Sequence, residues 1–467
     1  VRVVCWSATR GEGGQTRIGP YQGEALGIYR TWESQAAREI DGGEALFGPF
    51  VDFGFSKNGA EALDKWGQER LVREIVRAIR FVQPQIVIGR WSGTENDGHG
   101  HHQAVGQATL EAFTAASDPQ QYPELRAHGL VAWQPRKLYL STMGDWQPGE
   151  DVEFGKIIPA FERAGVVRLN TGEFDPIAGR TYQEQGWIAF NSHRSQAMGF
   201  SPEMGDFYYY YTLYTNLASR SERETDLYDG LDATLTGLSD YPGHGSASLN
   251  HYLVQVKTKA DAALDSYRPD TPAKAAKPLL EGVALLRECQ AALTGLPIHE
   301  EAQQALHHYL DRKITAFETV AAQCLGLRLE CLTDDAHITP GQPFHLSARL
   351  WSNYQATIDA VEFSPSLPEG WRVQETPPNG ADQASFQAEY QVTAADTAQL
   401  VCPYWLREAT DHYHYRWPVD PWAGQPFGPP LVEMACRVTL GRYRLHLRQP
   451  ALLREGFAGG FRELPMA

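Results

Sequence analysis

The sequence predicts an α/β fold in its first part, a helical spacer in its middle and an all-β sandwich in its last third. Three observations predict it. Short apolar runs alternate with helix-period stretches over residues 1 to about 145. Stretches rich in Ala, Leu and Gln fill residues 245 to 325. From Gly326 onward, apolar residues recur at every second position between turn signals. Strands that alternate with helices build a parallel sheet through right-handed crossovers. Short period-two strands separated by turns build a sandwich.

Val1 to Ser7 reads as a strand that runs into the glycine-rich loop Thr9-Arg10-Gly11-Glu12-Gly13-Gly14. Glu24 to Ile40 has helical periodicity, with Ala25, Leu26, Trp32, Ala36 and Ile40 on or near one face. Asp64 to Phe81 repeats it more strongly through Leu71, Val72, Ile75, Val76 and Ile79, and Pro84 stops it. Ile86-Val87-Ile88 has the all-apolar character of a strand buried on both faces. A helix is expected from Gln103 to Ala116 and a strand from Lys137 to Ser141. Val166 to Leu169 suits a strand and Tyr182 to Met198 a helix. Phe207 to Tyr214 suits a strand or a packed loop. In the last third, turns are expected at Thr339-Pro340-Gly341, at Asn353, at Leu367 to Gly370 and at Pro377 to Gly380. The expected domains are 1–240, a helical spacer 241–325, a β-sandwich 326–445 and an irregular tail 446–467.

With 467 residues the chain is long enough for two or three domains. Its formal net charge of -16 and pI near 5.4 repel phosphate backbones, so nucleic acid is not an expected partner. No apolar run reaches the roughly 20 residues of a membrane span. The cysteines (Cys5, Cys289, Cys324, Cys331, Cys402, Cys436) form no CxxC pair and read as buried thiols, with room for one disulfide.

The densest chemistry lies in Asp97-Gly98-His99-Gly100-His101-His102, just past the strand Ile86 to Ile88. Ligands of open α/β sheets bind outside the carboxyl ends of strands. Imidazole is a common zinc ligand, and Asp97 could orient a ring through its other nitrogen. Two histidines three apart cannot complete a three-ligand catalytic zinc, so a further ligand has to come from elsewhere. The Thr9 to Gly14 loop reads equally as an anion cradle or as a tight turn. Arg30 and Glu33, one turn apart, would also suit a surface ion pair. His193-Arg194-Ser195-Gln196 lacks the elbow of a serine hydrolase, and a structural role suits His193 as well.

Together with Leu26 to Glu33 and Asp52-Phe53-Gly54-Phe55-Ser56-Lys57, these stretches resemble the PIG-L/LmbE zinc-dependent N-deacetylases in order and spacing over about 200 residues. The resemblance implies a Rossmann-like parallel sheet with flanking helices. It implies hydrolysis of an N-acetyl group on an amino-sugar-type small molecule. His102 would be a Zn2+ ligand and His99 would protonate or polarise the reacting group. Asp97 is grouped with His99 as catalytic, and Arg30 and His193 would bind substrate. The family's Ala-His-Pro-Asp-Asp-Glu loop, which supplies further zinc ligands and the general base, does not occur in this sequence. The resemblance places it upstream of Val1, so this stretch alone would lack half of the metal site. The rival expectation is a non-catalytic carbohydrate-binding or scaffolding protein. From about residue 326 the sequence resembles a β-sandwich module appended to some glycosidases, through Thr339 to Gln342 and Leu367 to Trp371.

Overall fold

The computed structural model describes residues 1–141, 165–199, 201, 204–219, 224–240, 246–354, 357–377, 386–416, 422–457 and 459–466. The expected turn at Pro377 to Gly380 falls largely outside them. The chain divides into two compact units. One comprises residues 1–231 and 402–428, the other residues 232–401 and 429–467.

In the first unit, β1 (Val4–Ser7) leads through a loop into α1 (Gly23–Asp41), which ends where Gly42 turns left-handed at φ 74°. Next comes β2 (Glu44–Phe47), parallel to β1. The single helix expected from Asp64 to Phe81 is two helices, α2 (Gly59–Trp66) and α3 (Gln68–Val82). Gly67, at φ 77°, breaks the chain between them, a backbone state that glycine adopts without steric cost. The Asn58 side chain accepts the Glu61 N–H and caps α2. The α3 stripe of Leu71, Val72, Ile75, Val76 and Ile79 is buried throughout.

The rest of this unit contains β3 (Ile86–Gly89), α4 (Gly100–Ala115), β4 (Lys137–Ser141), β5 (Val166–Asn170), the small pair β6 (Phe174–Asp175) and β7 (Arg180–Thr181), α5 (Tyr182–Phe190) and β8 (Tyr208–Asn216). The helix expected to reach Met198 stops at Phe190, and only the single turn Arg194–Gln196 follows.

Among the described residues, one continuous parallel sheet does not form. β1 and β2 make a two-stranded sheet, and a separate four-stranded sheet has the order β3-β4-β8-β5. β3 and β4 are parallel, but β8 runs antiparallel to both β4 and β5. A parallel partner needs a crossover over the sheet face. α5, between β5 and β8, packs instead on α1. The expectation that Ile86 to Ile88 is buried on both faces is also corrected. β3 is an edge strand, and Ile88 is 45% exposed.

The second unit contains α6 (Ala247–Ser266), α7 (Ala276–Ala292), α8 (Glu300–Cys324) and strands β9 (Leu327–Thr333), β10 (Pro343–Ser352), β11 (Ala360–Ser366), β12 (Arg372–Thr376), β13 (Phe386–Thr393), β14 (Glu433–Leu440), β15 (Tyr443–Pro450), β16 (Leu452–Phe457) and β17 (Gly460–Pro465). The strands form a six-stranded sheet, β12-β13-β10-β9-β16-β17, and a three-stranded sheet, β11-β14-β15. The helices are not a detached spacer. Leu253, Leu286, Leu306 and Phe317 share one apolar cluster with Leu327, Leu350, Val438 and Leu445 of the strands. The tail expected to be irregular from 446 forms the end of β15 and all of β16 and β17. Its alternation was hidden because β17 lies at the sheet edge and is largely exposed. All six cysteines are free thiols, with Cys5 exposed and Cys402 half-buried.

Candidate active site

The site is built around the loop that follows β1. Gly13 lies so close to the Asp52 turn that an added Cβ would sit 2.3 Å from the Asp52 carbonyl oxygen. At Gly14 an added Cβ would meet the Arg30 guanidinium at 2.2 Å. The two glycines thus let the loop backbone lie against Asp52 and Arg30.

Arg30 projects from α1 under this loop. It donates to the carbonyl oxygens of Gly11 (2.7 Å) and Gln15 (3.0 Å), and its Nε donates to Ser195 Oγ (3.3 Å). A guanidinium carries five N–H groups, so three are used in these contacts. Burial pulls its pKa down, while Asp52 and Glu33 act against that shift. Glu33, one turn on, accepts from the Ser195 backbone N–H (2.6 Å) and hydroxyl (2.7 Å). The expected surface pair of Arg30 with Glu33 is therefore a bracket that binds Ser195 to α1.

Asp52 accepts the Gly54 N–H at 2.8 Å in a short Asx turn. Burial raises its pKa, offset by that N–H and by the charges of Arg30 and His99. The Asp52 N–H donates to Glu12 Oε2 at 3.2 Å. Glu12 is itself only 4% exposed, and burial raises its pKa as well.

α4 begins at Gly100, earlier than expected, because His99 serves as its N-cap. His99 Nδ1 lies 3.3 Å from the His101 N–H, and Nε2 lies 3.3 Å from the Ser56 N–H. A neutral imidazole accepts through one nitrogen only, so the tautomer decides which contact is a hydrogen bond. His101 turns inward, its ring stacked on Trp66 at 4.4 Å with the Phe53 edge at 4.2 Å. Burial, reinforced by His99 and His102, lowers its pKa to about 3. Its Nδ1 stands 3.9 Å from Asp52.

His102 stacks on Trp91 at 3.6 Å and places Nδ1 3.2 Å from the Asp97 carbonyl oxygen. This contact leaves Nε2 as the nitrogen able to meet a ligand. Burial lowers the His102 pKa, which favours the neutral ring. Asp97 thus orients an imidazole through its backbone. Its carboxylate instead accepts from Ser92 N–H (3.0 Å), Ser92 Oγ (3.1 Å) and Gly93 N–H (2.7 Å), which ties up the loop before α4.

His193 precedes the single turn that carries Ser195, with Phe190 edge-on at 5.9 Å. Burial lowers its pKa, and Glu33 acts against that shift. Of the sequence candidates, Arg30 and His99 are gathered at the Asp52 turn. Asp97 and His102 flank the start of α4, and His193 lies on the Ser195 side of Arg30. Sequence reasoning assigned no role to Asp52 or Glu12. The Asp-x-Gly spacing of an Asx turn was the available signal at Asp52.

Residues 1–113 match the model of the PIG-L family, described as GlcNAc-PI de-N-acetylase. Residues 1–113 form a PIG-L domain. The chain is also similar to mycothiol S-conjugate amidase of Streptomyces coelicolor (strain ATCC BAA-471 / A3(2) / M145), 33% identical over 155 residues. That alignment covers 30% of this chain and 50% of that protein. The chain thus spans about half the length of this known relative. The PIG-L match contains Arg30, Asp52, Asp97, His99 and His102 and ends within α4.

Among the described residues, no three His, Cys, Asp or Glu side chains converge as ligands of one metal ion. His102 has the form of a single ligand, oriented by Asp97 and leaving Nε2 available. The described residues do not by themselves make a zinc site. No helix among the described residues is long and apolar enough to cross a membrane.

Proposed function

We propose that this chain belongs to a hydrolase that removes an N-acetyl group from an amino-sugar-type small molecule. The observation that carries this reading is the packing of Arg30 and Asp52 against the Gly11 to Gly14 loop, with the His99 charge acting on Asp52, inside the matched PIG-L segment. The family is described as a de-N-acetylase and the relative is an amidase, and both terms denote cleavage of an amide C–N bond.

The roles follow from the chemistry of each group. Arg30 is held on three sides, and its remaining N–H groups suit sugar hydroxyls or an attached anion. Asp52 is an acceptor for a substrate hydroxyl, fixed by its own turn. His99 polarises the amide carbonyl or hands a proton to the departing amine, roles that imidazole side chains commonly fill. His102 is assigned as one zinc ligand and Asp97 as its positioning partner. His193 borders the substrate side of Arg30.

Acetate release from N-acetylglucosamine glycosides, measured on the product of the whole reading frame, tests the reading. His99→Ala is expected to lower kcat about 100-fold or more, within the usual contribution of general acid–base groups. Arg30→Ala is expected to act mainly on KM. Glycan binding with no hydrolysis by the wild type would favour the carbohydrate-binding alternative.

A further inference from the structure

The segment 402–428 belongs to the first unit although it is remote in sequence from the rest of it. It is joined there by several independent contacts. The backbone of 413–415 pairs with the stretch just before Asp52. The Val51 N–H donates to the Tyr413 carbonyl, and the Tyr415 N–H donates to the Pro49 carbonyl, both at 2.8 Å. Phe50 and His414 form an antiparallel bridge. His414 Nε2 reaches the Trp66 carbonyl oxygen at 2.8 Å, and the Trp66 ring carries His101. Arg10, 2% exposed, is clamped by Thr31 Oγ1, by the carbonyls of Gln425 and Pro426, by Tyr404 and by the Trp405 ring.

The decisive contact is at Tyr415. Its hydroxyl donates to Glu12 Oε1 at 2.6 Å, while Glu12 Oε2 accepts the Asp52 N–H at 3.2 Å. Each oxygen of this buried carboxylate therefore has a donor, one on the distal segment and one on the Asp52 turn. A carboxylate so occupied is a bracket and not a free base or ligand. We propose that residues 402–416 are a positioning element of the site, in which Tyr415 acts through Glu12 to fix the Asp52 turn. The proposal rests on the reading of Asp52 as a substrate acceptor, but its structural half can be measured separately.

Tyr415→Phe removes one hydroxyl and leaves the ring packing. Amide exchange of residues 51–54 is expected to accelerate about tenfold, with α3 and the second unit unchanged, as for a local opening. In steady-state kinetics KM is expected to rise about fivefold, with kcat within about twofold, because substrate binding loosens. Glu12→Ala cuts the same link from its other end and should give the same exchange signature. Glu12→Gln can still accept the Asp52 N–H and donate to the Tyr415 oxygen, so exchange at 51–54 should return to the wild-type level. Unchanged exchange at 51–54 in Tyr415→Phe overturns the proposal. So does equal acceleration across the first unit, or a loss confined to kcat. If the wild type cleaves no amide, the hydrolase reading falls while the exchange data still decide the link.

Discussion

Glu33 and Ser195 are joined twice, through the serine N–H at 2.6 Å and its hydroxyl at 2.7 Å. Glu33 is 6% exposed and Ser195 is fully buried. Removing the carboxylate leaves two buried donors without their acceptor. Glu33→Ala should cost about 2–3 kcal/mol in urea unfolding, and Ser195→Ala about 1 kcal/mol. Equal and negligible costs would contradict the bracket.

Gly13 tests the close packing of the loop. A methyl group there meets backbone atoms of Asp52 and Gly54 at 2.3 and 2.4 Å, which cannot rotate away. Gly13→Ala should destabilise by about 1–3 kcal/mol, as overpacking does, and raise KM by displacing the Asp52 turn. At Gly23 an added methyl meets nothing within 4 Å, so Gly23→Ala carries only the strain of its φ of 57°. Thermal melts of the two variants provide the comparison.

The pH dependence of stability follows from Glu12. Burial holds its folded pKa above the ordinary 4.5, despite the hydrogen bonds from Tyr415 and the Asp52 N–H. Between those two values the native state binds more protons than the unfolded chain. This contribution to stability is therefore full below pH 4.5 and is lost as pH rises through the folded pKa. Asp52 shifts in the same direction. Glu12→Gln should flatten the decline in urea-unfolding free energy above pH 4.5, and an unchanged slope would contradict the assignment.

Lys137 and Glu224 form a fully buried ion pair at 2.9 Å. Lys137 also donates to the Leu227 carbonyl at 3.2 Å, and Asn216 donates to Glu224 at 2.8 Å. Lys137→Met strands the carboxylate and should cost about 3–5 kcal/mol. Adding Glu224→Gln removes the stranded charge and should recover part of that loss, measurable as a double-mutant cycle.

Much of this was legible in the sequence where the signal is local. The α3 stripe follows from its 3.6-residue period, and its break at Gly67 is a single glycine inside a helical pattern. The sheet was less legible, because β8 has the apolar and aromatic character of any strand and nothing in it marks an antiparallel return. At the site, Arg30, His99 and His102 stood out by residue type and spacing. Asp97 was noticed for its carboxylate, whereas its carbonyl oxygen makes the contact with His102. Glu12 and Tyr415 were invisible as a pair because 403 positions separate them. No periodicity links residues at that range.

We propose that the Arg30, Asp52 and His99 constellation serves amide hydrolysis. The most direct measurement is acetate release from N-acetylglucosamine glycosides and amine release from a mycothiol S-conjugate, with and without added Zn2+, on the whole reading-frame product. The expected result is turnover that His99→Ala lowers about 100-fold or more, and Zn2+ occupancy that His102→Ala lowers. Wild-type protein that binds these compounds but releases neither acetate nor amine, or undiminished turnover in His99→Ala, would contradict it.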